Sequence, residues 1–171
     1  MCCLCCCENL ATLVRMLRLW AVVLSANLAE TFLFALAIGR SSVFDAHTYQ
    51  CLAEVGTSHM GAGFGTELMR AIFAGWLIAL MVWLLPGAES ARLSIIIILT
   101  YLVGISGFNH IIAGSTTMFF LVATKSISLG TYITQFFFPT LLGNVIGGLA
   151  LVAAMGNAQV VGGKEEQSAK G

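Results

Sequence analysis

Residues 93–124 form an apolar run in which only one side chain, His110, titrates near neutral pH. Wound as one α-helix, about 32 residues would reach roughly 48 Å, against a bilayer hydrocarbon core of about 30 Å. The excess has to be absorbed by a break. Gly104 and Gly107, in the stretch GISGFNHIIAGS just before the histidine, predict it near residues 103–108. Non-helical backbone at membrane depth survives only inside protein or beside a water-filled cavity, and a lone ionisable ring there is functional by default. The stretch therefore predicts the lining of a path for a polar solute. The competing reading is a bent span whose histidine merely satisfies a neighbouring helix.

Composition supports a membrane setting. Hydrophobic residues make up 58% of the chain and charged residues 9%, far below the roughly 25% charged residues of ordinary soluble domains. Apolar segments of spanning length recur at 17–38, 65–85, 93–124 and 132–155, which predicts an all-α membrane protein with four transmembrane helices, the third interrupted. The formal net charge is zero, so no nucleic-acid footprint is present and the bilayer is the expected surroundings. No paired carboxylates, metal-ligand cluster or serine–histidine constellation is visible, so neither an enzyme nor a cofactor or metal is expected.

Along the chain, the opening MCCLCCC holds five of the six cysteines, with no second cluster at zinc spacing. Residues 1–16 read as this segment followed by a short interfacial helix. A membrane domain over 17–160 and a disordered polar tail over 161–171 follow. The first span contains Asn27 and Glu30. Glu30 either faces the bundle interior or marks a span that sits shallower. Phe44, Leu52, Val55 and His59 recur near helical spacing, as in a helix lying along the interface. GAGFG is a hinge into the second span, and Pro86-Gly87 ends it. Gly143 and Gly147 make a small-xxx-small face for close helix contact. Five positive charges (Arg15, Arg18, Arg92, Lys164, Lys170) fall on one side and three (Arg40, Arg70, Lys125) on the other. This bias places both termini in the cytoplasm. Laying Asn27 on Asn144 also matches Ala37 with Ala154 and Gly39 with Gly156. Between helices of opposite direction, that is the pattern of an inverted repeat.

FAGWLIALMVWLLPG (73–87), GISGFNHIIAGS around His110 and PTLLGNVIGG (139–148) together resemble the formate/nitrite transporter family, in particular its YfdC-like branch. The resemblance runs over about 19–160. It implies the aquaporin-like channel fold of six helices in two inverted repeats, a homopentamer with one pore per subunit, and a place in the bacterial inner membrane. The spans here match helices three to six, so the chain reads as a shortened copy lacking the first two. The family's central pore histidine matches His110, and one of its paired asparagines matches Asn144. Gly75 stands where the other asparagine is expected, and Val103 replaces the phenylalanine that narrows the pore. His59 is the nearest candidate for the family's basic vestibule residue. Phe108 and Asn109 flank the histidine in the FNHII context.

The function this implies is passage of small monovalent anions, formate or nitrite in kind, with protons. His110 is the relay, because an ordinary imidazole titrates near pH 6.5, and Asn144 orients the ring or the anion. The alternative is a non-transporting membrane scaffold or a defective subunit, in which His110 is a satisfied polar group.

Overall fold

The computed structural model describes residues 2–169, with side chains over residues 10–158. No strand occurs among the described residues. Three helical stretches are long and apolar enough to cross a membrane: Leu10–Arg40, Phe64–Gly87 and Leu129–Ala158. The third expected span is divided into two shorter apolar helices, Arg92–Ile105 and Ile111–Ala123. The chain is an all-α integral membrane protein with an interrupted helix.

Helix α1 runs over Cys2–Arg40 and α2 over Ala46–Ser58, followed by α3 over Phe64–Leu84. A single 3₁₀ turn, Leu85–Gly87, closes α3 where proline removes a donor. The two halves of the divided span are α4, Arg92–Ile105, and α5, Ile111–Ala123. After the short turn α6, Leu129–Thr131, residues Tyr132–Phe137 wind in π-helical turns and lead into α7, Phe138–Ala169. The π stretch sits just before Pro139. A proline there has no N–H to donate and its ring crowds the carbonyl one turn back, so the ladder is already open at that point.

Two helix contacts organise the fold. In the first, α3 and α7 meet backbone to backbone. A Cβ added at Gly143 would lie 2.6 Å from the Leu68 carbonyl oxygen, and one at Gly147 would lie 2.9 Å from the Trp76 nitrogen. The small-xxx-small face expected from Gly143 and Gly147 is therefore used, and its partner is α3. In the second, α1 and α2 pack on α5. Met118, Phe119, Phe120 and Leu121 of α5 are buried with Ala35, Tyr132 and Phe136 in the apolar core. Gly56 of α2 is buried against α5, where a Cβ would lie 2.8 Å from a Leu121 methyl carbon. Outward faces stay apolar, as lipid contact requires: Leu33 is 64% exposed and Ile105 66%.

Three expectations change at this level. The helix break begins after Ile105, so Gly104 stays helical within α4 and Gly107 alone carries the turn. No boundary separates an interfacial helix from the first span, because α1 is continuous through residue 17. Glu30 faces off the described bundle rather than into it, lining a groove with Thr31, Phe34, Ile112 and Thr116. The helix expected from the Phe44, Leu52, Val55 and His59 spacing forms over Ala46–Ser58, capped at Asp45 and packed on α5. The cysteine run lies outside the described side chains. So does the tail at 161–171, although the helical backbone of α7 continues to Ala169.

Candidate functional site

The break between α4 and α5 is built by local hydrogen bonding. At the end of α4 the Phe108 N–H donates to the Val103 carbonyl and the Gly107 N–H to the Gly104 carbonyl, each at 3.1 Å. With Gly107 at φ +63°, this is a Schellman C-cap, in which a left-handed residue lets the last carbonyls find donors. Glycine suits the position because a left-handed conformation costs other residues about 1–2 kcal/mol. Phe108 and Val103, the pair such a cap usually brings together, both face one cavity. The chain then extends through His110 (φ −99°, ψ 131°) before α5 begins.

Asn144 of α7 holds the far side of the break. Its Oδ1 accepts from the Ile111 N–H at 2.8 Å, and its Nδ2 donates to the carbonyls of Ala71 and Asn109, both at 2.8 Å. One amide thus ties α7 to α3, to the broken segment and to the first turn of α5. The Ile111 and Asn109 groups are ones that the interruption would otherwise leave unpaired in a water-poor interior.

A cavity of about 360 Å³ opens beside the break. His110, Val103, Phe108 and Gly107 line it from the broken span, with His59 from the α2–α3 link and Thr117 from α5. The His110 imidazole makes no hydrogen bond to a described residue. Gly114 also faces the cavity, and behind it the Phe136 ring fills the space a Cβ would need. His59 lies at 5.8 Å, centroid to centroid, from Phe136.

The six residues singled out from sequence divide into three groups. His110, Val103 and Phe108 line the cavity. Asn109 and Asn144 sit behind it as supports: Asn109 is fully buried, and its carbonyl accepts from Asn144. Gly75 is elsewhere, packed in the α3–α7 contact, where a Cβ would lie 2.7 Å from the Asn144 Cα. No asparagine side chain fits at that closeness. The residue's place is to let Asn144 approach.

Glu67 was not singled out from sequence. It is 2% exposed on α3, accepts a hydrogen bond from the Asn109 Nδ2, and pairs with Arg70 at 3.3 Å. The one signal available was a carboxylate in the first turn of an apolar span with an arginine three residues on. Nothing in that spacing points to Asn109, which is 42 positions away.

Comparison with known proteins gives concordant results. A family model described as "Formate/nitrite transporter" matches residues 1–157. Among curated proteins, the chain is 34% identical over 145 residues to "Inner membrane protein YfdC" of Escherichia coli, covering 85% of this chain and 47% of that protein. It is 30% identical over 115 residues to "Formate-nitrite transporter 2" of Toxoplasma gondii, covering 64% of this chain and 24% of the other. It is 34% identical over 101 residues to "Uncharacterized transporter YrhG" of Bacillus subtilis, covering 57% and 37% respectively. The chain spans about half the length, or less, of these curated relatives. No solved structure matches.

Proposed function

The chain belongs to the formate/nitrite transporter family, and on that premise we propose that it forms a wall of a pathway for small monovalent anions, with His110 as proton relay. The observation that carries this reading is the cavity at the helix break. There an imidazole with no hydrogen bond to a described residue stands next to apolar Val103 and Phe108.

The physical sequence is short. An anion that reaches the Val103–Phe108 rim faces a steep cost, since an unpaired charge in an apolar setting is expensive. Two features of the break offset that cost. The N-terminus of α5, whose Ile111 N–H is taken by Asn144, begins one residue after His110, and the helix dipole there favours negative charge. A protonated imidazole adds a full positive charge beside it, or gives up its proton so that a neutral acid crosses the rim. Asn144 serves this chemistry indirectly, by fixing the backbone that aims the ring. The proposal includes a homopentamer in the bacterial inner membrane with both termini in the cytoplasm, in line with the name of the Escherichia coli relative and the charge bias.

The test is anion uptake by proteoliposomes between about pH 5 and 8, the window in which an ordinary histidine titrates. His110→Asn keeps a polar side chain but no titrating proton, and uptake by this variant is expected to lose its pH dependence. Uptake that follows pH as in the parent would leave His110 as packing and favour the scaffold reading.

A further inference from the structure

We propose that Glu67 is a second proton-binding site of this protein, loaded from the mouth at Gly61–Gly63 and coupled to the helix break through the Asn109 amide. Nothing in the assignment requires anion passage. Its consequence for passage rests on the function proposed above.

The geometry has three parts. First, the Glu67 carboxyl lines a cavity of about 340 Å³ together with Gly61, Gly63, Phe64, Thr134 and Gln135. Gly61 and Gly63, both at positive φ, put no side chain of their own into that mouth. Second, the carboxyl is only partly compensated. An ionised carboxylate offers about four acceptor sites. Among the described residues, Glu67 receives one hydrogen bond from Asn109 and one single-point contact from Arg70, whose side chain is 37% exposed. Third, the Asn109 amide is fully buried and its Oδ1 has no donor. A buried acceptor without a partner costs about 1–3 kcal/mol.

These parts fit two protonation states that share one scaffold. With Glu67 ionised, Arg70 is paired, Asn109 donates through Nδ2, and Oδ1 stays orphaned. With one proton taken from water in the mouth onto a carboxylate oxygen, the new O–H can donate to the Asn109 oxygen once the amide turns over. The two ends of such an amide occupy nearly equivalent positions. Arg70 is then released to solvent, and the bond from Nδ2 is replaced by the one to the amide oxygen. The His59 imidazole lies beside the same amide. The groups facing Glu67 are therefore Arg70 of its own helix, Asn109 of the break with His59 behind it, and neutral Thr134 and Gln135 across the mouth. Asn109 directly precedes His110, so the charge on Glu67 is felt at the cavity. An ionised Glu67 repels an anion there, and a protonated one does not.

The experiment is an infrared titration of the purified chain in detergent, comparing parent and Glu67→Gln. The parent is expected to show a protonated-carboxyl C=O band that persists at least one pH unit above the ordinary glutamate value of about 4.3 and is missing from Glu67→Gln. A parent-minus-variant spectrum without such a band above about pH 5.5 overturns the assignment. Arg70→Gln leaves Glu67 in place and covers the case in which Glu67→Gln does not fold. Removing the cation should extend the band to higher pH, and an unchanged band overturns the two-state account. His110→Asn should keep the band. Uptake that ignores His110 while the band persists would refute the relay and spare the Glu67 site, and the reverse pattern would do the opposite.

Discussion

Replacing Asn144 by alanine removes, at one stroke, the hydrogen bonds to the Ile111 N–H and to the Ala71 and Asn109 carbonyls. Each is worth a net 0.5–1.5 kcal/mol or so in proteins generally, and nearer about 0.6 kcal/mol on average for side chains between membrane helices. Three together give about 2–4 kcal/mol, with the upper part of the range reached if the freed backbone groups find no water. For a chain of this size, that corresponds to a fall of roughly 5–15 °C in the thermal unfolding midpoint, measured on purified protein in detergent. The loss should be local as well as global: amide hydrogen exchange should accelerate at Ile111, whose N–H loses its acceptor. Asn144→Asp should do no better than alanine, since one oxygen can still accept from Ile111 but the other would face two carbonyls. An Asn144→Ala protein with unchanged midpoint and unchanged exchange at Ile111 would refute the argument. If that protein still lost anion uptake, Asn144 would be a direct contact of the permeant rather than a brace.

Gly107→Ala should cost about 1–2 kcal/mol through its φ of +63° alone, because no atom lies where the Cβ would go. Gly104→Ala, at a helical position equally open, should instead stabilise by up to about 1 kcal/mol; unfolding midpoints of the two variants check the opposite signs. Gly75→Ala should destabilise by about 1–3 kcal/mol, since its Cβ would lie 2.7 Å from the Asn144 Cα and force α3 from α7. Asp45 caps α2 by accepting from the Thr48 N–H at 2.7 Å. The Thr48 side chain and then its backbone hold this carboxyl below its ordinary value. The cap's contribution is thus complete above the ordinary aspartate range near about 3.9 and is lost as pH falls through the lower folded value; hydrogen exchange at Thr48 followed downward from neutral pH should show protection persisting below that range and then failing, and Asp45→Ala should lack it throughout.

The interruption was legible in the sequence because length and chemistry agreed: residues 93–124 exceed a bilayer crossing, and Gly107 stands where a left-handed residue is needed. The close α3–α7 contact was half legible. Gly143 and Gly147 announced a face, but the partner face includes Gly75, which a sequence comparison presents as a missing asparagine and the packing presents as a required absence of side chain. Asn144 was found through its match to the family's paired asparagines, yet its three backbone partners lie on α3, the helix break and α5 and could not be read from its neighbours. Glu67 was missed for the same reason. Its environment is made by Asn109, and burial of a first-turn carboxylate depends on how the mouth folds over it rather than on local pattern. The continuity of α1 escaped notice because Arg15 and Arg18 suggested a head-group boundary, whereas arginines on a helix need not end it.

The π-helical stretch Tyr132–Phe137 has a bearing on how this chain can change by insertion and deletion. A π turn is an α-helix carrying one residue too many, so the winding upstream of α7 works like a gear set one tooth forward. Within it Tyr132 and Phe136 mesh with the α5 core; downstream, Gly143, Asn144 and Gly147 mesh with α3. Deleting a single residue from this stretch would let it relax to regular α-helix, and because the wide turn had absorbed that residue, the helix downstream would keep nearly its present phase. A one-residue indel in the regular helix between Phe138 and Gly143 would instead turn everything downstream by about 100° relative to everything upstream. Asn144 would then swing off the helix break while the core contacts stayed in place. A one-residue deletion within Tyr132–Phe137 should therefore be tolerated far better than a one-residue indel between Phe138 and Gly143.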